Sequence, residues 1–236
     1  MFDYRDREGI EEIAIKNLSA TIIVRIPKDI EIQWSKFDNL ISKYNIIFAL
    51  EDINMYKECK LHKVKYYWAY PITSFYELEG IVALGACQIL IGAPLFFDLF
   101  RVQSFGKDIR VVANNCFDNY IPRENGICGV YIRPEDVQYY EDYITTIEFY
   151  TTTNQKEASL LKIYKEDQKW PGNLNLLLTN FNCNVDNRAI PEEFALARMQ
   201  CRQTCMGGGK CKFCYTAVNF SRAIDKAKKD WLKNNA

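Results

Sequence analysis

A recurrence of short apolar runs limits this chain more than any other feature. Thr21–Ile26, Ile46–Leu50, Val64–Tyr70, Gln88–Gly92, Ile109–Ala113, Val130–Arg133, Thr145–Tyr150 and Leu174–Thr179 are rich in β-branched or aromatic residues. Many are apolar nearly throughout, as strands buried on both faces must be. Segments of helical character lie between them. Ile32–Ser42 places Trp34, Phe37, Leu40 and Ile41 at helical spacing, and Ser74–Leu84 opens with Thr73 and Ser74 ahead of Glu77, a capping-box pattern. Pro134–Tyr143 and Gln155–Gln168 read similarly. Pro191 stands at the first turn of a last helix, Glu192–Gln200, where its missing N–H costs nothing.

Eight strands alternating with helices or short crossovers predict an α/β fold, a compact TIM-like (β/α)8 barrel of parallel strands. Some intervals are too short for a full helix, so several crossovers are read as loops or single turns. The rival is an open doubly wound sheet, which usually carries a glycine-rich phosphate loop after its first strand. Arg25-Ile26-Pro27-Lys28-Asp29 stands there instead. The chain has no P-loop, Rossmann fingerprint, HExxH or GxSxG motif. The expected domains are a barrel over 1–190 and a C-terminal helix with a cysteine-rich tail over 191–236.

That tail holds Cys201-Arg-Gln-Thr-Cys205-Met-Gly-Gly-Gly-Lys-Cys211-Lys-Phe-Cys214, four of the nine cysteines within fourteen residues. Thiolates are soft ligands, and four converging on a point suit Zn²⁺ or an iron–sulfur cluster. The glycines permit a sharp reversal because they tolerate positive φ. Continuing the Glu192–Gln200 helix by a turn would set Cys201 and Cys205 on one face, with Gly207–Gly209 returning Cys211 and Cys214 to complete the set. Two disulfides or four unconnected thiols are the alternatives. The spacing, C-x3-C-x5-C-x2-C, is neither the paired knuckle of many zinc sites nor the bacterial ferredoxin run, and alone it favours zinc.

Thirty basic and thirty acidic residues cancel, so no net field steers a partner. The distribution is uneven: residues 201–236 carry eight Lys/Arg against two Asp, a net of +6 that leaves −6 on residues 1–200. A basic tail on a metal knuckle could touch nucleic acid, and a solvated final helix is the plainer reading. The first residues are charged and lack an apolar signal-peptide core, and no apolar run reaches a membrane-spanning length. The chain is therefore expected to be cytoplasmic, with reduced thiols and no membrane partner.

In a barrel, chemistry sits where strands end. Arg25, Glu51, Asn114, Arg133 and Glu148 are the candidate ligand-binding residues, accompanied at those ends by Asp29, Asp52, Tyr70, Asn115, Tyr150, Asn180 and Asn182. Such a ring could grip a polar ligand, or its members could simply cap strands and anchor loops. Pairing among them, as in Glu51 or Glu148 with Arg25 or Arg133, would favour the structural role. His62, the single histidine, precedes a strand and so belongs at the opposite end, which argues against a Ser/His or Cys/His pair. Cys116 and Cys183 each follow a strand and are read as core thiols more readily than as ligands.

Between Lys63 and Tyr150 the chain resembles the collagenase-like peptidase family, the U-thirty-two peptidases. The resemblance rests on the strand Val64–Tyr70, then Ala83-Leu84-Gly85-Ala86 followed by Cys87-Gln88-Ile89-Leu90-Ile91-Gly92-Ala93-Pro94. It continues through Asp108-Ile109-Arg110-Val111-Val112-Ala113-Asn114-Asn115 and Gly129-Val130-Tyr131-Ile132-Arg133-Pro134-Glu135-Asp136. Gly208-Gly209-Lys210-Cys211-Lys212-Phe213-Cys214 is similar to the family's late glycine-then-cysteine signature. The family's strand-end histidine is replaced by Val112 or Ala113, and its paired carboxylate by Ala93-Pro94. The resemblance implies a barrel and raises a 4Fe–4S cluster above zinc at Cys201, Cys205, Cys211 and Cys214. It also implies assistance in modifying RNA or a small aromatic substrate rather than proteolysis. Against it stands a non-catalytic reading, a phage-encoded or other accessory protein whose degenerate barrel is held by structural zinc.

Overall fold

The structure is a computed structural model. It describes residues 2–3, 5, 7–16, 21–96, 98–113, 132–148, 161–165, 169–170, 172, 186–192 and 194–199. The chain divides into two compact units, Met1–Leu90 and Ile91–Ala236. The class is mixed α/β with parallel strands. Closure into a barrel is not present among the described strands, which form a four-stranded and a three-stranded sheet.

The first sheet runs in chain order, β1 (Phe2–Asp3), β2 (Ile22–Ile26), β3 (Ile46–Leu50) and β4 (Lys65–Trp68). Every pair is parallel, with Val24 opposite Phe48 and Phe48 opposite Tyr66. The crossover helices are α1 (Arg7–Lys16), α2 (Asp38–Lys43) and α3 (Tyr56–Leu61). Right-handed crossovers between strands that never reverse order put all of these helices on one face. Contacts mark that face: Trp34 and Phe37 pack on Phe48 at ring-centroid distances of 5.8 and 5.9 Å. On the same face the Tyr66 hydroxyl donates to the Leu84 carbonyl, at the end of α4 (Phe75–Ala83). Registered neighbours in a parallel sheet share a face, so Arg25, Ala49 and Tyr67 lie on the other one. Ile47, Ala49 and Tyr67 are buried there, and β3 is buried at every position. An all-apolar strand covered on both sides is what its sequence, Ile-Ile-Phe-Ala-Leu, requires.

Local chemistry sets the element ends. Ser74 caps α4 by accepting from the Glu77 amide at 3.2 Å, and the Glu77 carboxylate accepts from the Thr73 amide at 3.0 Å, the expected capping box. Past α4 the chain reverses at Gly85, with φ +94. A Cβ there would meet Lys60 Cε at 3.2 Å and Tyr66 Oη at 3.3 Å, so both the turn and the space select glycine. The single helix expected over Ile32–Ser42 is instead a 3-10 turn, Trp34–Lys36, followed by α2. Two elements were not anticipated in the charged N-terminus, β1 and α1, where Ile10 and Ala14 are buried at helical spacing.

The second sheet has the order β5 (Gln88–Ile91), β6 (Asp108–Val112) and β7 (Thr146–Glu148). Between β5 and β6 lie α5 (Ala93–Phe96) and α6 (Leu99–Gln103). β6 pairs directly with β7 in parallel, Arg110 opposite Thr146 and Val112 opposite Glu148. The expected strand Val130–Arg133 therefore has no place between them. Of its residues, Ile132 and Arg133 are described and are not in a strand. Pro134, which has no N–H to give a ladder, opens a 3-10 helix over Pro134–Tyr139 instead. Tyr140 then packs on Phe96 at 5.2 Å. Part of the Gln155–Gln168 helix is described, as helical residues 161–165, and the last expected helix is observed over Phe194–Met199. Leu174–Thr179 lies outside the described residues.

Candidate functional site

Each of the four described candidate residues is engaged in an arginine–carboxylate pair, and the pairs differ in how much of the arginine they consume. Arg25 lies on β2 opposite Ala49, and Glu51 follows two residues after Ala49. The two therefore meet diagonally on the helix-free face, where Arg25 Nε donates to Glu51 Oε1. The Glu51 amide also continues the ladder by donating to the Ile26 carbonyl at 3.0 Å. Arg25 is 49% exposed and Glu51 14%.

Glu148 pairs with Arg110, a residue absent from the expected ring. Arg110 lies opposite Thr146, and Glu148 again follows by two. Arg110 Nε and Nη2 both donate to Glu148 Oε1, at 2.8 and 2.6 Å. Here the arginine is 4% exposed and the glutamate 11%. Arg110 was hidden from sequence reading inside the run Asp-Ile-Arg-Val-Val, where a single cation looks like a strand-edge residue. The available signal was period-two alternation, which puts it on the face of the residue that Glu148 follows.

Arg133 is buried in a third arrangement. Its Nε and Nη2 form a fork on Asp136 at 2.6 and 2.7 Å. Nη1 reaches Asn187 Oδ1 at 3.3 Å, Nη2 also donates to the Pro191 carbonyl at 3.2 Å, and the guanidinium lies 5.7 Å from the Phe194 ring centroid. Asn187 Nδ2 donates to Glu135 and to the Trp170 carbonyl, while the Trp170 amide donates to Glu135. Burial pushes the Asp136 carboxyl above its ordinary range, with the hydrogen bonds and charge of Arg133 opposing it. This network fastens Trp170, Asn187 and Pro191 to the segment at 133–136, a structural use of Arg133.

The ends of β2 and β4 add further groups. Lys28 Nζ sits 5.7 Å from the centroid of Tyr70, and Tyr70 meets Trp68 edge-on at 5.3 Å. Asp52 spends its side chain on the Asn54 amide at 2.9 Å, capping the turn Ile53–Met55. His62, as expected, lies between α3 and β4, away from these strand ends; it stacks on Trp34 at 4.0 Å. Cys59 is buried under β4, and burial, reinforced by the charge of Glu58, pushes its thiol up to about 12. It is a core thiol and not a nucleophile. The Tyr66 hydroxyl is raised as well, first by burial and then by Cys59, Tyr56 and Cys87 nearby.

Asn114 and the four cysteines, Cys201, Cys205, Cys211 and Cys214, lie outside the described residues, as do Cys116 and Cys183. Among the described residues no group of three or more His, Cys, Asp or Glu could hold a metal ion. The tail's donor set, four thiols in one short stretch, is sufficient in number and kind for a zinc or iron–sulfur centre. No helix among the described residues is long and apolar enough to cross a membrane. Compared with protein-family models, curated proteins and solved structures, the chain has no match.

Proposed function

We propose that this chain is a βα-barrel protein with one metal centre at Cys201, Cys205, Cys211 and Cys214, which takes up RNA or a small aromatic ligand at the C-terminal ends of its strands. The observation that carries the reading is strand order. Both sheets run in chain order without the reversal that defines a doubly wound fold. The Cys87 amide, just ahead of β5, donates to the Tyr66 carbonyl of β4 at 2.9 Å, which extends the same succession. Helices on one face and a buried opposite face are what a barrel wall requires. In this reading Phe2–Asp3 replaces Val130–Arg133 in the count of eight, and Leu174–Thr179 would supply the last strand.

The four thiolates would hold the centre, and an iron–sulfur cluster there would supply electron transfer. The chain's own part is to bind and orient: Arg25 offers guanidinium donors at the strand ends, Glu51 fixes their direction, and Arg110, Arg133 and Glu148 stiffen the scaffold. A second reading, a non-catalytic scaffold with structural zinc, is favoured by one specific observation. Glu51, Glu148 and Asp136 are each neutralised by an arginine, so none is poised as a free general base.

Anaerobic purification followed by metal analysis and visible absorption tests the choice. A brown protein with iron and sulfide supports the cluster. A colourless protein with one zinc per chain supports the structural site. Metal-free protein with four titratable thiols in an ordered tail defeats both.

A further inference from the structure

The network around Arg133 reaches the element that leads into the cysteine-rich tail. Helix Phe194–Met199 has six residues, far short of the roughly 12–15 that an isolated helix needs in water, so its order comes from docking. It lies against the 3-10 helix Pro134–Tyr139, with Phe194 and Ala195 buried. Arg133 serves that dock twice. Its Nη2 donates to the Pro191 carbonyl at 3.2 Å, and its guanidinium lies 5.7 Å from the Phe194 ring centroid. The Phe194 amide donates to the same Pro191 carbonyl at 3.2 Å, so the acceptor that Arg133 holds is also the one from which the helix starts.

Asn187 completes the hold. Its side chain accepts from Arg133 and donates to Glu135 and to the Trp170 carbonyl. Asp136 fixes the guanidinium plane by a two-bond fork at 2.6 and 2.7 Å, and a planar guanidinium gripped this way aims its remaining donors in set directions. The order so imposed runs to Met199, and Cys201 is two residues further on, about 7 Å of fully extended chain. Closing four thiolates on one cation costs the conformational entropy of every residue that has to be fixed. Docking the helix fixes part of the approach to Cys201 in advance.

We infer that Arg133 and Asn187 are positioning residues for the metal centre at Cys201, Cys205, Cys211 and Cys214: the clamp they form and the bound cation stabilise each other. The inference rests on the metal centre proposed above and adds its coupling to the segment at 133–136. Such coupling is reciprocal, so the cation tightens the clamp by the factor by which the clamp tightens the cation. Trp170 lies inside the network, its amide donating to Glu135 and its carbonyl accepting from Asn187, and so reports from the clamp's end.

Zinc titration of the full chain, stripped of metal under anaerobic reducing conditions and read against a competing chelator, tests it. Asn187→Ala should weaken Zn²⁺ binding by about tenfold, and Phe194→Leu by a few-fold. Acrylamide quenching supplies the reverse reading. Zinc should shield a fluorescence component that Trp170→Phe removes, since the backbone bonds of residue 170 survive that change. A purely structural network would lower the melting temperature of both variants while leaving the zinc affinity of the folded chain and the Trp170 signal unmoved. Circular dichroism checks both folds. Should Asn187→Ala fail to fold, Phe194→Leu and the wild-type Trp170 signal decide. Equal zinc affinity in wild type and folded variants overturns the coupling, and so does a Trp170 signal indifferent to zinc. A wild-type chain that takes up no zinc removes the metal centre itself, and the inference with it.

Discussion

Arg25–Glu51 and Arg110–Glu148 repeat one construction in two different settings. In each, an arginine on one parallel strand meets a glutamate two residues beyond its registered partner on the next. The first pair faces solvent through the arginine, and the second is almost fully buried. Identical backbone geometry thus yields two different objects. In solvent the pair holds a guanidinium in position at little energetic consequence, whereas in the interior each partner becomes the other's condition for being there. Sheet geometry decides that the residues meet, and burial decides what the meeting is for.

Mutating the buried pair should give the largest effect. Arg110→Met takes the guanidinium of Arg110 away from buried Glu148 and should lower unfolding free energy by about 3–5 kcal/mol in denaturant titrations. The double variant Arg110→Met/Glu148→Met should recover most of that loss. If the single variant costs no more than a surface change, the contrast between the pairs collapses.

Cys59 tests whether the first unit contains a buried ionisable group of its own. Its thiol is raised from 9.0 to about 12, so between those values the native state retains a proton that the unfolded chain loses. Stability from this group is intact below pH 9.0 and is lost as pH rises towards about 12, with a limiting slope of about 1.4 kcal/mol per pH unit. Cys59→Ala should flatten that alkaline limb. Native Cys59 should also resist iodoacetamide at pH 8 until the protein unfolds, and rapid labelling would contradict its burial.

A smaller loss is expected for Ser74→Ala, about 1 kcal/mol by thermal melting, because one capping bond of α4 disappears. Arg25→Gln should be the mildest, within about 1 kcal/mol and smaller still at high salt. A larger, salt-independent effect would make Arg25–Glu51 a structural pair like its counterpart.

Most strands were legible because both faces had to be apolar. Ile46–Leu50 appears with the same bounds in sequence and structure, and the Ser74 cap was readable because its chemistry is local. The failures have physical causes as well. Val130–Arg133 has strand-forming residues, yet what holds Arg133 is a set of acceptors on Asp136, Asn187 and Pro191 that periodicity cannot reveal. Of the strand-end residues, Arg25 and Glu51 meet at one sheet end. Arg133 and Glu148 take partners of their own, and which partner a charged residue finds depends on tertiary register rather than on its neighbours in sequence. The charged N-terminus was too polar overall to advertise β1, and α1 shows itself only through Ile10 and Ala14.

The strand order also fixes a schedule for assembly. Each strand of the first sheet pairs with the one made just before it, so the sheet can grow as the chain leaves the ribosome. Asn187 has to wait, because Glu135 and Arg133 lie 52 and 54 residues behind it in sequence. Until it arrives, a guanidinium and two carboxylates stand without the amide that later joins them. A nascent or truncated chain ending before Asn187 should therefore be the form that chaperones hold and proteases remove.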